Sequence, residues 1–197
     1  MGHIVRNCYT ERCSRSLHGH SVTVEIFLES EVLDRGHMVY DFGLLKGTVK
    51  DLVDSFDHCF TYWALEDPEF VAFIHRYSAR WVELPVNVSC EQMSRVLFLA
   101  IDLILKHTEK TNCERFELKT VRVHETATGY AESTREDAED SCMGIIRPTD
   151  IVFSEAVQKD WRDPSMWSRI CTDFTDPYLF RNPEVTIQIE ESVQNNP

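Results

Sequence analysis

Residues that bind metals or move protons crowd into one short stretch, Cys13-Ser14-Arg15-Ser16-Leu17-His18-Gly19-His20. An alternating run, Val22-Thr23-Val24-Glu25-Ile26-Phe27-Leu28, follows at once, and alternation with β-branched residues predicts a strand. Residues i and i+2 of a strand face the same side, so His18 and His20 can present two imidazoles side by side, with Gly19 giving the backbone room between them. His3 could supply a third nitrogen. Three histidines leave one position of a tetrahedral zinc open, which is the catalytic kind of site. The Cys13 thiol upstream adds a nucleophile or base. Taken alone, His-x-His also reads as two polar side chains on a half-exposed face.

Two other places have residue types suited to proton transfer or ligand binding. In Asp57-His58 a carboxylate can orient an imidazole as proton carrier, or the pair can simply close a helix. Glu125 ends a predicted strand just before Thr126 and Gly129, where it can anchor a ligand in a loop mouth or be a plain strand-end residue. Cys59 and Cys90 read as packing residues, and Cys8 is a second thiol candidate with the same bland alternative.

These groups need a scaffold, and the periodicities predict one. The run 20–30 is a strand, with Gly36-His37-Met38-Val39-Tyr40 as its return partner. Asp41 is placed to cap a helix carrying Leu44, Leu45, Val49, Leu52, Val53 and Phe56 at helical spacing and ending near Asp57-His58. Asp67-Pro68 opens a second helix, with proline in its first turn. Trp81 to Pro85 is a short extended piece. Ser89 with Gln92 signals the start of a strong helix whose buried stripe is Met93, Val96, Leu97, Ala100, Ile101 and Ile104. Phe116 to Val123 is a further strand. Five acids between 132 and 141 suggest a solvated loop or surface helix end. Beyond them, Phe153, Trp161, Trp167, Phe174, Tyr178 and Phe180 predict an appendage that packs.

Composition narrows the class. At 197 residues the chain fits one domain with a small appendage. Its net charge of −13 argues against a nucleic-acid partner, because phosphate-backbone binding needs a basic face. No apolar run approaches the roughly 20 residues that span a bilayer, and no leader segment is expected. Seven scattered cysteines without a C-x-x-C pair predict free thiols in a reducing cytoplasm rather than disulfides.

Taken in order, the motifs Cys13…His18-Gly19-His20, Met38-Val39-Tyr40-Asp41-Phe42…Leu45-Lys46, Phe56-Asp57-His58, Ser89-Cys90-Glu91 and Val123-His124-Glu125-Thr126…Tyr130 resemble the 6-pyruvoyl-tetrahydropterin synthase / 6-carboxy-tetrahydropterin synthase family, from residue 3 to about 130. The resemblance implies an α+β tunnelling fold, an antiparallel sheet with two helices packed on one face, here with a C-terminal extension. It implies a domain over 1–132, followed by an acidic linker and extension over 133–197. Subunits of such proteins assemble as homo-oligomers, usually hexamers, with active sites at their interfaces. Carried onto the matching positions, His3, His18 and His20 bind Zn2+, and Cys13 is the thiolate that removes a substrate proton. Asp57 and His58 relay protons. Glu125 grips the guanidine-like edge of a pterin with two parallel hydrogen bonds, and Thr126 and Glu91 line the same pocket.

The activity implied is that of a zinc-dependent lyase. It would convert 7,8-dihydroneopterin triphosphate to 6-carboxytetrahydropterin, acetaldehyde and triphosphate, on a route to 7-deazaguanine compounds such as queuosine precursors. Triphosphate elimination to 6-pyruvoyl-tetrahydropterin, formation of a hydroxymethyl-dihydropterin, and a non-catalytic pterin-binding homologue are the alternatives. Arg6, Arg12, Arg15 and Lys46 are candidate triphosphate cations. Two departures stand out. Four residues separate Cys13 from His18 where three are usual, and only Met1-Gly2 precede His3 where the family has a strand.

Overall fold

A computed structural model describes residues 1–110, 112, 114–172 and 180. The chain starts on a two-residue strand, β1 (Gly2–His3), passes through a one-turn helix, α1 (Glu11–Ser14), and returns as β2 (His18–Gly19). The alternating run is β3 (Thr23–Glu29). Its predicted return partner does not form. The Asp34 carboxylate accepts from the backbone N–H groups of Gly36 and Met38, at 2.8 and 2.9 Å, and His37 takes φ +60°, so these residues make a turn.

The helix capped by Asp41 is two helices, α2 (Phe42–Leu45) and α3 (Thr48–Asp54), separated at Lys46-Gly47. It ends at Asp54, before the Asp57-His58 pair rather than at it. After β4 (Phe60–Trp63) the Asp67 side chain caps α4 (Pro68–Tyr77), which crosses over to β5 (Trp81–Leu84), parallel to β4. Ser89 caps α5 (Cys90–Lys106), and the predicted apolar stripe of this helix is buried throughout. Each large aliphatic side chain so buried contributes roughly 1.5–3 kcal/mol.

α5 lies against an antiparallel sheet of order β3-β6-β7, built from β6 (Glu117–His124) and β7 (Tyr130–Ser133). A bulge inserts Lys119 opposite the Phe27/Leu28 step, so that Leu118, Val121 and Val123 can all face the core. α3 packs on α5. The acidic stretch is the end of β7 and α6 (Arg135–Glu139), which starts in a Thr134/Asp137 capping box.

The segment after α6 is fastened by Arg95 of α5. Arg95 is 2 % exposed, and its guanidinium donates to the carbonyls of Asp137, Ala138, Asp140, Met143 and Gly144. β8 (Val152–Phe153), α7 (Glu155–Gln158) and α8 (Met166–Thr172) follow. β8 completes a second, mixed sheet of order β2-β1-β4-β5-β8, which sequence periodicity did not anticipate. Phe153, Trp161, Trp167 and Phe180 are buried as expected, while Phe174 and Tyr178 lie outside the described residues. Among the described residues no helix is long and apolar enough to cross a membrane.

Candidate active site

The two-residue strands β1 and β2 exist to bring distant histidines together. His3 and His18 are register partners, and the His20 N–H continues the pairing by donating to the Met1 carbonyl at 3.0 Å. Gly19 makes the approach possible, because a Cβ there would come within 2.9 Å of the Met1 oxygen. The three rings sit 4.6 to 5.3 Å apart, centre to centre, and their ligand-capable nitrogens all lie within 4.8 Å of one another.

Backbone carbonyls set the tautomers. His3 Nδ1 lies 3.0 Å from the Val88 oxygen, and His18 Nδ1 lies 2.9 Å from the Ser16 oxygen. A carbonyl only accepts, so each Nδ1 donates its proton there, and in the neutral ring the lone pair is then on Nε2. His3 is 1 % exposed, and its Nε2 is buried without a hydrogen-bond partner. Such an orphan costs about 1–3 kcal/mol unless something occupies it. Burial, with the His18 charge acting in the same direction, pushes the His3 pKa down to about 4, so the ring is in the neutral form that binds a cation. An orphaned lone pair facing two further imidazoles fits a metal ion.

Glu125 leaves the end of β6 and stands against this trio, with Oε1 3.4 Å from His20 Nε2 and 3.7 Å from His3 Nε2. The loop behind it is tight. The N–H groups of Glu125 and Thr126 both donate to the Gly129 carbonyl, and the Gly129 N–H donates to Thr126 Oγ1 at 2.9 Å. Thr126 and Glu91 are exposed, the latter in the first turn of α5. Cys90 donates its thiol to the Val123 carbonyl at 3.2 Å, and burial raises its pKa, so it sits beside Glu125 as a packing group. Burial also pushes the Cys59 thiol up to about 12.

Asp57 and His58 occupy the turn after α3, fully open to solvent, with Asp57 Oδ2 3.1 Å from His58 Nδ1. The hydrogen bond from His58 holds the Asp57 carboxyl below its usual value. A cavity of about 460 Å³ joins this pair to His20 of the trio, lined by Met1, His20, Val22, Val24, Asp57 and His58. Cys13 is half-buried in α1, and its carbonyl accepts from the Val5 N–H at 3.1 Å, which ties the helix to the chain just after His3. Among the described residues the metal-holding group is the three histidines, and the Cys13 thiol is outside it. Arg6 is not a free cation, since it makes two hydrogen bonds to the Glu66 carboxylate at 2.7 and 2.9 Å.

Sequence reading missed the two orienting carbonyls of Val88 and Ser16, which no residue type announces, and the closeness of Glu125 to the trio.

The sequence profile of the family described as 6-pyruvoyl tetrahydropterin synthase matches residues 1–136. A 6-carboxy-5,6,7,8-tetrahydropterin synthase of Helicobacter pylori is 34 % identical over 183 residues, 92 % of each chain. One of Aquifex aeolicus is 31 % identical over 125 residues, 61 % of this chain and 75 % of the other. An uncharacterised protein of Wolinella succinogenes shares the fold, with a TM-score of 0.55 at 22 % identity over 68 % of this chain and 92 % of that one. The chain therefore belongs to the 6-pyruvoyl tetrahydropterin synthase family of pterin-synthase-type lyases.

Proposed function

We propose that this protein is a zinc-dependent 6-carboxy-tetrahydropterin synthase. It converts 7,8-dihydroneopterin triphosphate, with uptake of water, to 6-carboxytetrahydropterin, acetaldehyde and triphosphate, and its product feeds 7-deazaguanine synthesis in the cytoplasm. The observation that carries the reading is the buried, unpartnered Nε2 of His3 facing His18 and His20. The Helicobacter pylori synthase supports the choice of product, since its match extends far past residue 136.

His3, His18 and His20 hold the metal, which when bound supplies Lewis acidity toward the substrate's side-chain hydroxyls. Glu125 accepts two parallel hydrogen bonds from the guanidine-like edge of the pterin and so sets its distance from the trio. Cys13 takes a proton from the substrate side chain, and His58, oriented by Asp57, carries protons between the cavity and solvent. Thr126 and Glu91 border the pterin pocket.

Assembly as a homo-oligomer with sites between subunits completes the reading. β3 is a sheet edge, and beside it Ile26, Phe27, Leu28, Met38, Tyr40 and Phe42 line an apolar hollow in which Phe42 is 82 % exposed. An open edge beside apolar side chains favours strand pairing with another subunit.

Incubation of the protein with dihydroneopterin triphosphate and zinc tests the reaction. Acetaldehyde in step with triphosphate is the expected result. Triphosphate without acetaldehyde would assign simple elimination instead, and no turnover would leave a pterin-binding homologue.

A further inference from the structure

The C-terminal segment bears on the site through one arginine. Arg80, just before β5, spreads its guanidinium over the turn that carries Asp57 and His58. Nε donates to the Asp57 carbonyl at 3.0 Å, Nη2 donates to the Asp54 carbonyl at 3.1 Å, and Nη1 pairs with the Asp160 carboxylate just after α7. The carbonyls of a helix C-terminus have no partners within the helix, so a fixed fork of donors there decides how the chain leaves it.

The same turn is held on its buried side. Trp161, 4 % exposed, donates its indole N–H to Ser55 Oγ at 2.8 Å, and Ser55 Oγ donates to the Asp51 carbonyl at 2.9 Å. The Arg80 carbonyl accepts from the Phe60 N–H at 3.0 Å, and the Cys59 carbonyl accepts from the Gly2 N–H at 2.8 Å, next to His3. The turn is thus fixed at both ends while His58 itself stands at φ +47°, a backbone region that a non-glycine residue keeps only under constraint. Arg80 does not line the cavity that joins His20 to the dyad.

We infer that Arg80, braced by Asp160 and Trp161 of the C-terminal segment, is a positioning residue that holds Asp57-His58 at the distance and angle needed for proton transfer. The inference rests on the reading of Asp57-His58 as the proton-transfer pair. It gives the segment beyond α6 a part in catalysis without contact with substrate. Displacing a proton carrier by about 1 Å can cost on the order of 100-fold in rate, whereas binding groups elsewhere would be unaffected.

The test measures kcat, KM and zinc content of Arg80→Ala, His58→Ala and the double variant with dihydroneopterin triphosphate. In Arg80→Ala, kcat should fall about 10- to 100-fold with KM within about threefold of wild type and zinc retained. In the His58→Ala background the same change should lower kcat by less than about threefold, because the two residues act as one unit. Arg80→Lys should recover part of the loss. Trp161→Phe, which keeps the ring and removes the donor, should lose about threefold to tenfold.

If Arg80→Ala does not fold, Arg80→Lys and Trp161→Phe carry the comparison against His58→Ala. Unchanged kcat in the Arg80 and Trp161 variants, or equal losses with and without His58, would overturn the inference while leaving the proton-transfer reading intact. Unchanged kcat in His58→Ala would remove that reading, and the inference with it.

Discussion

His20 of the histidine trio lines one cavity with Asp57 and His58, yet the trio and the dyad are held by opposite means. The trio is set by backbone: strand pairing places His3 against His18, carbonyls fix two of the tautomers, and one nitrogen is sealed from water. The dyad is 73 and 88 % exposed, and the turn that carries it is bonded by Arg80, just before β5, and by Trp161 of the C-terminal segment. The difference suits the roles proposed for each. Metal ligands gain from a dry, rigid frame in which imidazoles stay neutral. A proton carrier that exchanges with solvent stays exposed, and its orientation then comes from neighbouring side chains.

Cys13 belongs to neither region, and replacing it should have the largest effect on that contrast. Cys13→Ala should lower turnover by about 10²–10⁴-fold while zinc content stays at the wild-type level. Loss of zinc in this variant would move the thiol into the metal group and break the division. His58→Ala should cost about 100-fold in kcat with zinc and KM preserved, and Asp57→Asn less, since the imidazole remains. A KM rise with constant kcat would make the dyad a substrate-binding element.

A smaller effect separates the two regions by pH. The His3 pKa is about 4 in the folded state against 6.5 ordinarily, so between those values the unfolded chain binds more protons. In the metal-free protein stability should be full above pH 6.5 and fall by about 3 kcal/mol as pH drops through 4. Denaturant unfolding of metal-free wild type and His3→Gln across this range checks it, with the slope expected to flatten in the variant. Parallel curves would place the acid sensitivity elsewhere.

Much of the scaffold was legible because local signals agreed with tertiary need. Ser89 and the stripe from Met93 to Ile104 specify α5, Asp67-Pro68 specifies the start of α4, and alternation specifies β3. His18-Gly19-His20 also showed its purpose, since glycine between two histidines is what the close approach to Met1 requires. The misreadings arose where side chains took over backbone bonds or where pairing was too short to leave a period. Asp34 captures the N–H groups that would have made Gly36–Tyr40 a strand. β1 and β2 have two residues each, so the pairing of His3 with His18 leaves no periodic trace. Nothing in the sequence singles out Arg80 or Arg95, yet both donate to main-chain carbonyls.

The central claim is that three histidines drawn together by β1 and β2 form the metal site on which the activity depends. Metal analysis of the purified wild type beside His3→Ala and His18→Ala tests it most directly. The account predicts one zinc per wild-type chain, background zinc in both variants, and turnover lost with it. Equal zinc in wild type and the variants would contradict it.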